Sequence, residues 1–393
     1  MSKSAQGQSG TAFLNDVRVR GVLAQVFVLG SVVFLVSWLV NNTLSNLEAR
    51  QIATGYGFLE REAAFDVSES VIDYSPADNY LKVLVVGLLN TLKISLVGVF
   101  LATVIGTLFG IARLSSNWLI ARLAGFYVEG LRNIPLLLQL FFWYTLITEA
   151  FPGPRKALNP LDGVFLSNRG IKFPWPVWET AHTLGLIGLA CGLLAIFFLN
   201  RRAARVQEQT GQRPGILLPA LGCLFVFPII GWTLGGAPTE ISTPALRGFN
   251  FRGGASMSPE FLALLTGLTL YTGTFIAEIV RGGISSVPWG QTEAAVALGL
   301  RQSWIMRLIL LPQALRVIIP PLTSQYLNLV KNSSLAVAIG YPDLVSTANT
   351  TINQTGQAVE GIAIIMAVYL TVSLSISAFM NWYNGYIALR GGR

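Results

Sequence analysis

The stretch Pro288–Pro312, PWGQTEAAVALGLRQSWIMRLILLP, is the longest amphipathic segment lying between two strongly apolar runs of the chain. Thr292 to Leu298 is built of good helix formers, and Pro288 is tolerated only near the start of that helix. Gly299 stands where a left-handed residue would cap it. Ser303 is placed to cap a second helix, Trp304 to Leu311, which Pro312 would end or kink. Two short helices meeting at a glycine predict a compact knob whose polar surface carries Glu293, Arg301, Gln302 and Arg307. On the residues alone, a docking knob and a plain loop between two membrane helices both stand.

Outward from this segment the chain is apolar. Of its 393 residues 52% are hydrophobic and 12% charged, and the mean hydropathy is +0.58; soluble domains carry about 25% charged residues. Apolar runs lie at Gly21 to Val40, Leu81 to Ile111, Leu119 to Ile147, His182 to Leu199, Ile216 to Leu234, Phe261 to Val280, Val317 to Val330 and Ile362 to Phe379. A bilayer crossing needs about 20 residues, so the reading is an all-α, polytopic integral membrane protein of about eight spans. Arg132, Asn133 and Pro135 interrupt the third run, and Pro320-Pro321 kink the seventh. The first twenty residues are polar, later than a cleavable signal would begin, so the first run reads as a retained helix.

Arg and Lys gather in the loops that share a side with both termini, among them Arg18, Arg20, Arg113, Arg201, Arg202, Arg205, Arg213, Arg390 and Arg393. That bias predicts cytosolic N- and C-termini, with Pro288–Pro312 and the loop Asn200 to Gly215 in the cytosol. The net charge of +8 follows from the same scattered loops and forms no stripe for nucleic acid. Cys191 and Cys223 sit in apolar runs without metal spacing, and His182 is the single histidine. No metal site, catalytic constellation or enzyme activity is expected.

Glu293-Ala294-Ala295, three residues, Gly299, nine residues, then Ile309-Leu310-Leu311-Pro312 resembles the EAA loop of ABC importer permeases. Further segments resemble the polar amino-acid uptake branch (histidine, glutamine and general L-amino-acid permeases) of that family: Gly87-Leu88-Leu89-Asn90-Thr91-Leu92, Tyr127-Val128-Glu129-Gly130-Leu131-Arg132-Asn133-Ile134-Pro135, Thr272 to Ile284, and Leu329-Val330-Lys331-Asn332-Ser333-Ser334-Leu335. The resemblance covers about half the chain. It implies a type I ABC importer permease core in a bacterial inner membrane, translocating amino acids at the expense of ATP hydrolysed by separate subunits. It implies as partners a second homologous permease subunit, expected as a relative in a heterodimer with an identical copy as the alternative, two ATP-binding cassette ATPase subunits, a periplasmic amino-acid-binding protein, the amino-acid substrate and membrane lipid. By the same resemblance, Glu293, Ala294, Ala295, Gly299, Ile309 and Pro312 couple the chain to the ATPase.

The runs and motifs divide the chain into segments. Residues 1–20 form a cytosolic tail; 21–80 a first transmembrane helix and periplasmic segment; 81–150 and 258–387 the two parts of the permease core, with the coupling loop at 288–312; 388–393 a cytosolic tail. Residues 151–257 lie outside the small members' pattern and read as periplasmic loops around an added transmembrane hairpin, similar in layout to the larger general L-amino-acid permeases.

For the substrate path the candidates are Thr91, Arg132, Gln139, Thr274, Glu278, Asn332 and Ser333. Ionisable residues inside spans are functional by default. Two readings stand for Glu278: an i,i+3 ion pair with Arg281, or a contact to a substrate ammonium group. Arg132, beside a proline break, is either a structural cap or a carboxylate contact. Thr91, Gln139 and Thr274 are either cavity lining or packing glue. Asn332 and Ser333 break a span, which is tolerated where backbone is buried or lines water. No lysine follows a glycine, so no phosphate-binding Gly-Lys-Ser/Thr loop exists; the chain carries no cofactor, and ATP belongs to partner subunits. A stand-alone secondary transporter is the alternative, against which stand the missing two-half repeat and the absence of a chain of intramembrane acids.

Overall fold

In the computed structural model, residues 17–50, 54–212 and 214–389 are described. The tail before residue 17, Arg213, and the last residues from Arg390 onward lie outside them. The order is α1 (Val17–Ala49), α2 (Tyr80–Ala112), α3 (Trp118–Arg132), α4 (Leu136–Thr145), strands β1 (Leu158–Leu161), β2 (Val164–Ser167), β3 (Gly170–Phe173) and β4 (Trp175–Pro176), α5 (Thr180–Thr210), α6 (Leu217–Leu234), β5 (Ile241–Ser242), β6 (Ala245–Arg247), β7 (Asn250–Arg252), β8 (Ala255–Met257), α7 (Pro259–Ser285), α8 (Trp289–Ala297), α9 (Gln302–Ile305), α10 (Leu311–Asn332), α11 (Leu344–Thr355) and α12 (Ala358–Leu389). Seven helices among the described residues are long and apolar enough to cross a membrane. The third of the eight predicted spans, Leu119 to Ile147, is divided: α3 stops at Arg132, and the chain restarts as α4 after Pro135, whose missing N–H and fixed φ break the helix there.

The chain forms two compact units, Met1–Leu92 with Pro342–Phe379, and Lys93–Tyr341 with Met380–Arg393. In the first, Phe58, Tyr80, Val83, Leu84, Leu344 and Ala348 form a buried cluster backed by Ile365 and Tyr369. Gly87 lets α2 lie directly on the start of α11: a Cβ there would fall 2.2 Å from Thr347 Oγ1 and 2.9 Å from the Leu344 Cα. One turn on, side chains fix the same crossing. Asn90 Nδ2 donates to the carbonyls of Glu69 (2.8 Å) and Pro342 (2.9 Å). The Leu344 amide donates to Thr91 Oγ1 at 3.0 Å. Asp343 caps α11, accepting from the Ser346 amide at 2.8 Å. It lies between the spans and is fully buried, and burial pushes its carboxyl up to about 7.

The second unit is built around α7, whose Phe261, Leu264, Leu268 and Ile276 are sequestered with Ile94, Leu140, Ile318 and Leu329. Glycines on α2 allow this approach. A Cβ on Gly106 would stand 2.6 Å from Ile276, and one on Gly110 2.7 Å from the Ala277 carbonyl; small residues at such contacts let membrane helices meet backbone to backbone.

Residues 151–257 carry short strands beside the hairpin of α5 and α6. One sheet has the order β1-β2-β3-β8, with β4-β5 and β6-β7 as separate ribbons. All pairings are antiparallel, and β3 meets β8 in the register Ile171 with Met257 and Phe173 with Ala255. Strands before α5 therefore pair with strands after α6, which places both ends of the hairpin at one sheet. α5 runs on to Thr210 before Gly211 (φ 71) ends it. Arg201, Arg202 and Arg205 thus sit on a helical extension where the sequence reading had a loop, because the run of Arg, Ala, Gln and Glu keeps its helix propensity beyond the apolar stretch. His182 is used in the capping box that starts this helix, its Nδ1 accepting from the Glu179 amide at 3.1 Å.

Candidate functional site: coupling knob and polar helix face

The knob forms from its own sequence. Pro288 precedes α8, and Leu298 closes it. Gly299 follows at φ 72. Its amide donates to the Val296 carbonyl at 2.9 Å, and the Leu300 amide reaches back to Ala295 at 3.2 Å. This pair of bonds is a Schellman cap, which needs a left-handed residue at the position after the cap. A Cβ on Gly299 would meet nothing within 4 Å, so the demand is purely a backbone one.

The second half departs from expectation. Arg301, not Ser303, occupies the N-cap of α9, and Pro312 neither ends nor breaks the helix. Met306–Leu310 forms one wide turn in which the Leu311 amide bonds to the Met306 carbonyl five residues back. Pro312 follows that turn within the first residues of α10, where an N–H is dispensable. The knob is therefore joined stiffly to α10.

Ala295 and Ile305 are buried beneath it, while Glu293 and Ala294 are exposed. Ile309 is half-buried and Pro312 exposed. Around them Trp289, Leu298 and Trp304 stand out at 73%, 80% and 58% exposure. An exposed apolar rim around a charged centre suits a surface that becomes covered.

Between α7 and α10 lies a cavity of about 300 Å³ lined by Tyr271, Thr272, Phe275, Gln325, Asn328 and Asn332. Tyr271 and Phe275 stack edge-on at 5.0 Å, and the Arg132 guanidinium lies 5.0 Å from the centre of the Phe275 ring on a neighbouring element. Of the sequence candidates, Asn332 lines this cavity and Arg132 stands against its aromatic wall.

Thr274 is fully buried and donates to the Tyr271 carbonyl at 2.7 Å. Ser333 donates to Val330 at 2.7 Å, at the point where α10 tightens into a 3-10 turn. Gln139 braces the Pro135 break, its Nε2 donating to Leu131 (2.8 Å) and Ile134 (3.0 Å). Thr91 belongs to the α2–α11 crossing already described. Glu278 is held between Arg281, one turn along α7, and Arg113 at the end of α2.

Gln325 and Asn328 escaped the sequence reading. With Asn332 they are spaced i, i+3 and i+7, one face of a helix, inside a run read only for its prolines. A count of amides on that face would have found them.

A multi-span helical protein with an outward-facing, glycine-capped knob and a polar seam between two of its spans has the anatomy of a transport subunit that is driven from outside the membrane. Residues 218–390 match the family described as the binding-protein-dependent transport system inner membrane component. Over nearly its full length the chain is similar to the putative amino-acid ABC transporter permease protein YhdX of Escherichia coli (strain K12), 47% identical over 390 residues and covering 99% of each chain. It is similar as well to the general L-amino acid transport system permease protein AapQ of Rhizobium johnstonii, 44% identical over 383 residues, 98% of this chain and 96% of that one. The glutamate/glutamine/aspartate/asparagine transport system permease protein BztB of Rhodobacter capsulatus is 43% identical over 409 residues, 95% of each. The chain belongs to the family of amino-acid ABC transporter permeases and is a multi-pass inner membrane protein.

Proposed function

We propose that the chain imports amino acids as one permease of a heterodimer, fed by a periplasmic binding protein and driven by two ATPase subunits. The observation that carries this reading is the knob: its Schellman turn at Gly299 and its apolar rim form a rigid element aimed at a partner. Glu293, Ala294, Ala295 and Gly299 sit on that element, Ile309 on the turn that joins it to α10, and Pro312 in the first residues of α10. Closure of the ATPases pushes the knob, and the wide turn passes the push into α10, whose amide face lines the cavity. ATP binds the partners, since no lysine of this chain follows a glycine.

The substrate path runs along Gln325, Asn328 and Asn332, with Arg132 available to a carboxylate. Amides, the Thr272 hydroxyl and two aromatic faces suit a polar zwitterion. Relatives named for general L-amino acids, or for glutamate, glutamine, aspartate and asparagine, favour a broad polar substrate range. The chain termini, the knob and the arginines of the α5 extension lie in the cytosol.

Purification of the complex from its native membrane tests the assignment. A second permease, an ATPase and ATP-dependent uptake of labelled amino acids in vesicles are expected. Uptake by the chain alone under an ion gradient would replace this reading with a secondary transporter.

A further inference from the structure

A second cavity, also about 300 Å³, opens where α2 ends and α3 begins, lined by Arg113, Arg122, Gly125, Phe126, Glu129 and Arg281 among others. It shares no lining residue with the Tyr271–Asn332 cavity, and three guanidiniums line it against the one carboxylate of Glu129. Arg113 and Arg281 are both engaged by Glu278, and Arg113 lies 3.8 Å from Glu129. Arg122 makes no ion pair among the described residues, and the Nε of Arg281 is buried without a hydrogen-bond partner. The cavity therefore keeps an excess of positive charge and an unanswered donor. Gly125 leaves it open, since a Cβ there would meet nothing within 4 Å.

What lies beside it selects the ligand. Leu119, Leu123 and Phe126 are 55%, 60% and 79% exposed. Their spacing is i, i+4 and i+7, so they form one apolar stripe along α3, running from its first turn past the arginines. A guanidinium-lined cavity at the end of membrane helices, continuous with an exposed apolar stripe, matches an amphiphile with an anionic head and apolar chains. Arginine is suited to phosphate through its planar fork of donors, and basic pockets between membrane helices accept anionic headgroups. We propose that this cavity is a site for the phosphate of an anionic phospholipid, whose acyl chains lie along Leu119, Leu123 and Phe126.

The test uses the purified permease complex in nanodiscs, with retained lipid counted by native mass spectrometry. Phosphatidylglycerol is the probe, phosphatidylcholine the zwitterionic control, and inorganic phosphate and a mixture of amino acids are added as competitors. Wild type is expected to retain phosphatidylglycerol over phosphatidylcholine. Arg122→Gln should cut that retention severalfold, and Arg122→Lys should restore part of it. Gly125→Leu leaves every charge in place but fills the cavity, and should cut retention as well while improving helix propensity. Equal retention by wild type, Arg122→Gln and Gly125→Leu would overturn the proposal. So would displacement of the lipid by millimolar phosphate, which would make the site one for a soluble anion. Displacement by amino acids would make it part of the substrate path, and would overturn the proposal too.

Discussion

Single residues carry two separable demands here, one of backbone and one of charge. Gly299 sits in the left-handed region with empty space around it, so Gly299→Ala adds only the conformational cost, about 1–2 kcal/mol. That variant is expected to insert and assemble, with uptake reduced by less than Gly299→Asp. The aspartate adds a carboxylate to the surface that the proposed docking would bury; ATPase pull-down should fail, or ATP hydrolysis should continue without uptake. Normal pull-down and uptake in Gly299→Asp would leave the knob a mere connection. Asp343 makes the opposite kind of demand. Its folded carboxyl keeps its proton up to about 7, well above the ordinary 3.8. The folded state therefore binds more protons than the unfolded one between those values, and the stability this contributes is full below 3.8 and lost as pH rises towards about 7. Asp343→Asn keeps the cap on Ser346, since asparagine caps as well as aspartate. In thermal unfolding in detergent, wild type should lose stability from pH 5 to pH 8 more than Asp343→Asn; identical pH profiles would refute the buried-acid account.

Elements differ in how openly their sequence declares them. The first helix of the knob and its glycine stop were legible, because helix formers followed by a glycine state a local rule that nothing distant overrides. The continuity from α9 into α10 was not legible, because one wide turn carries the helix past Pro312 and no residue type announces such a turn. Strands of two to four residues beside the hairpin were hidden too, since they are too short to show an alternating pattern, and β3, β4, β5 and β8 also take partners from the far side of two helices. The proline break at Pro135 and the ion pair of Glu278 with Arg281 were readable. Arg113 as the second partner was not, lying 165 positions away. On α10 the amide face gives a sharp test. Asn328→Leu removes a polar group from the cavity without touching the buried cluster at Leu322 and Leu329. It is expected to leave ATPase pull-down and expression unchanged and to lower the uptake rate at least severalfold. Unchanged uptake would move the path away from this face.

At the scale of the whole molecule, composition alone announced the membrane, and the motifs announced the family, because both depend on many residues at once. Sidedness is a property of the same scale. With the arginines of the α5 extension in the cytosol, a cysteine introduced at Gln212 in a background lacking Cys191 and Cys223 should react with a membrane-impermeant maleimide only after the membrane is breached. Reaction in intact cells would invert the topology. The pairing of β3 with β8 has a practical corollary: the hairpin behaves as a removable cassette. Phe173 and Ala255 are register partners on neighbouring strands, so an Asn-Gly turn could splice them into an ordinary two-residue β-hairpin. Excising residues 174–254 in this way is expected to give a shorter permease that still inserts and still captures its ATPase. The same junction could accept a reporter or affinity module in place of the lost helices, which would turn the hairpin's root into an engineering port.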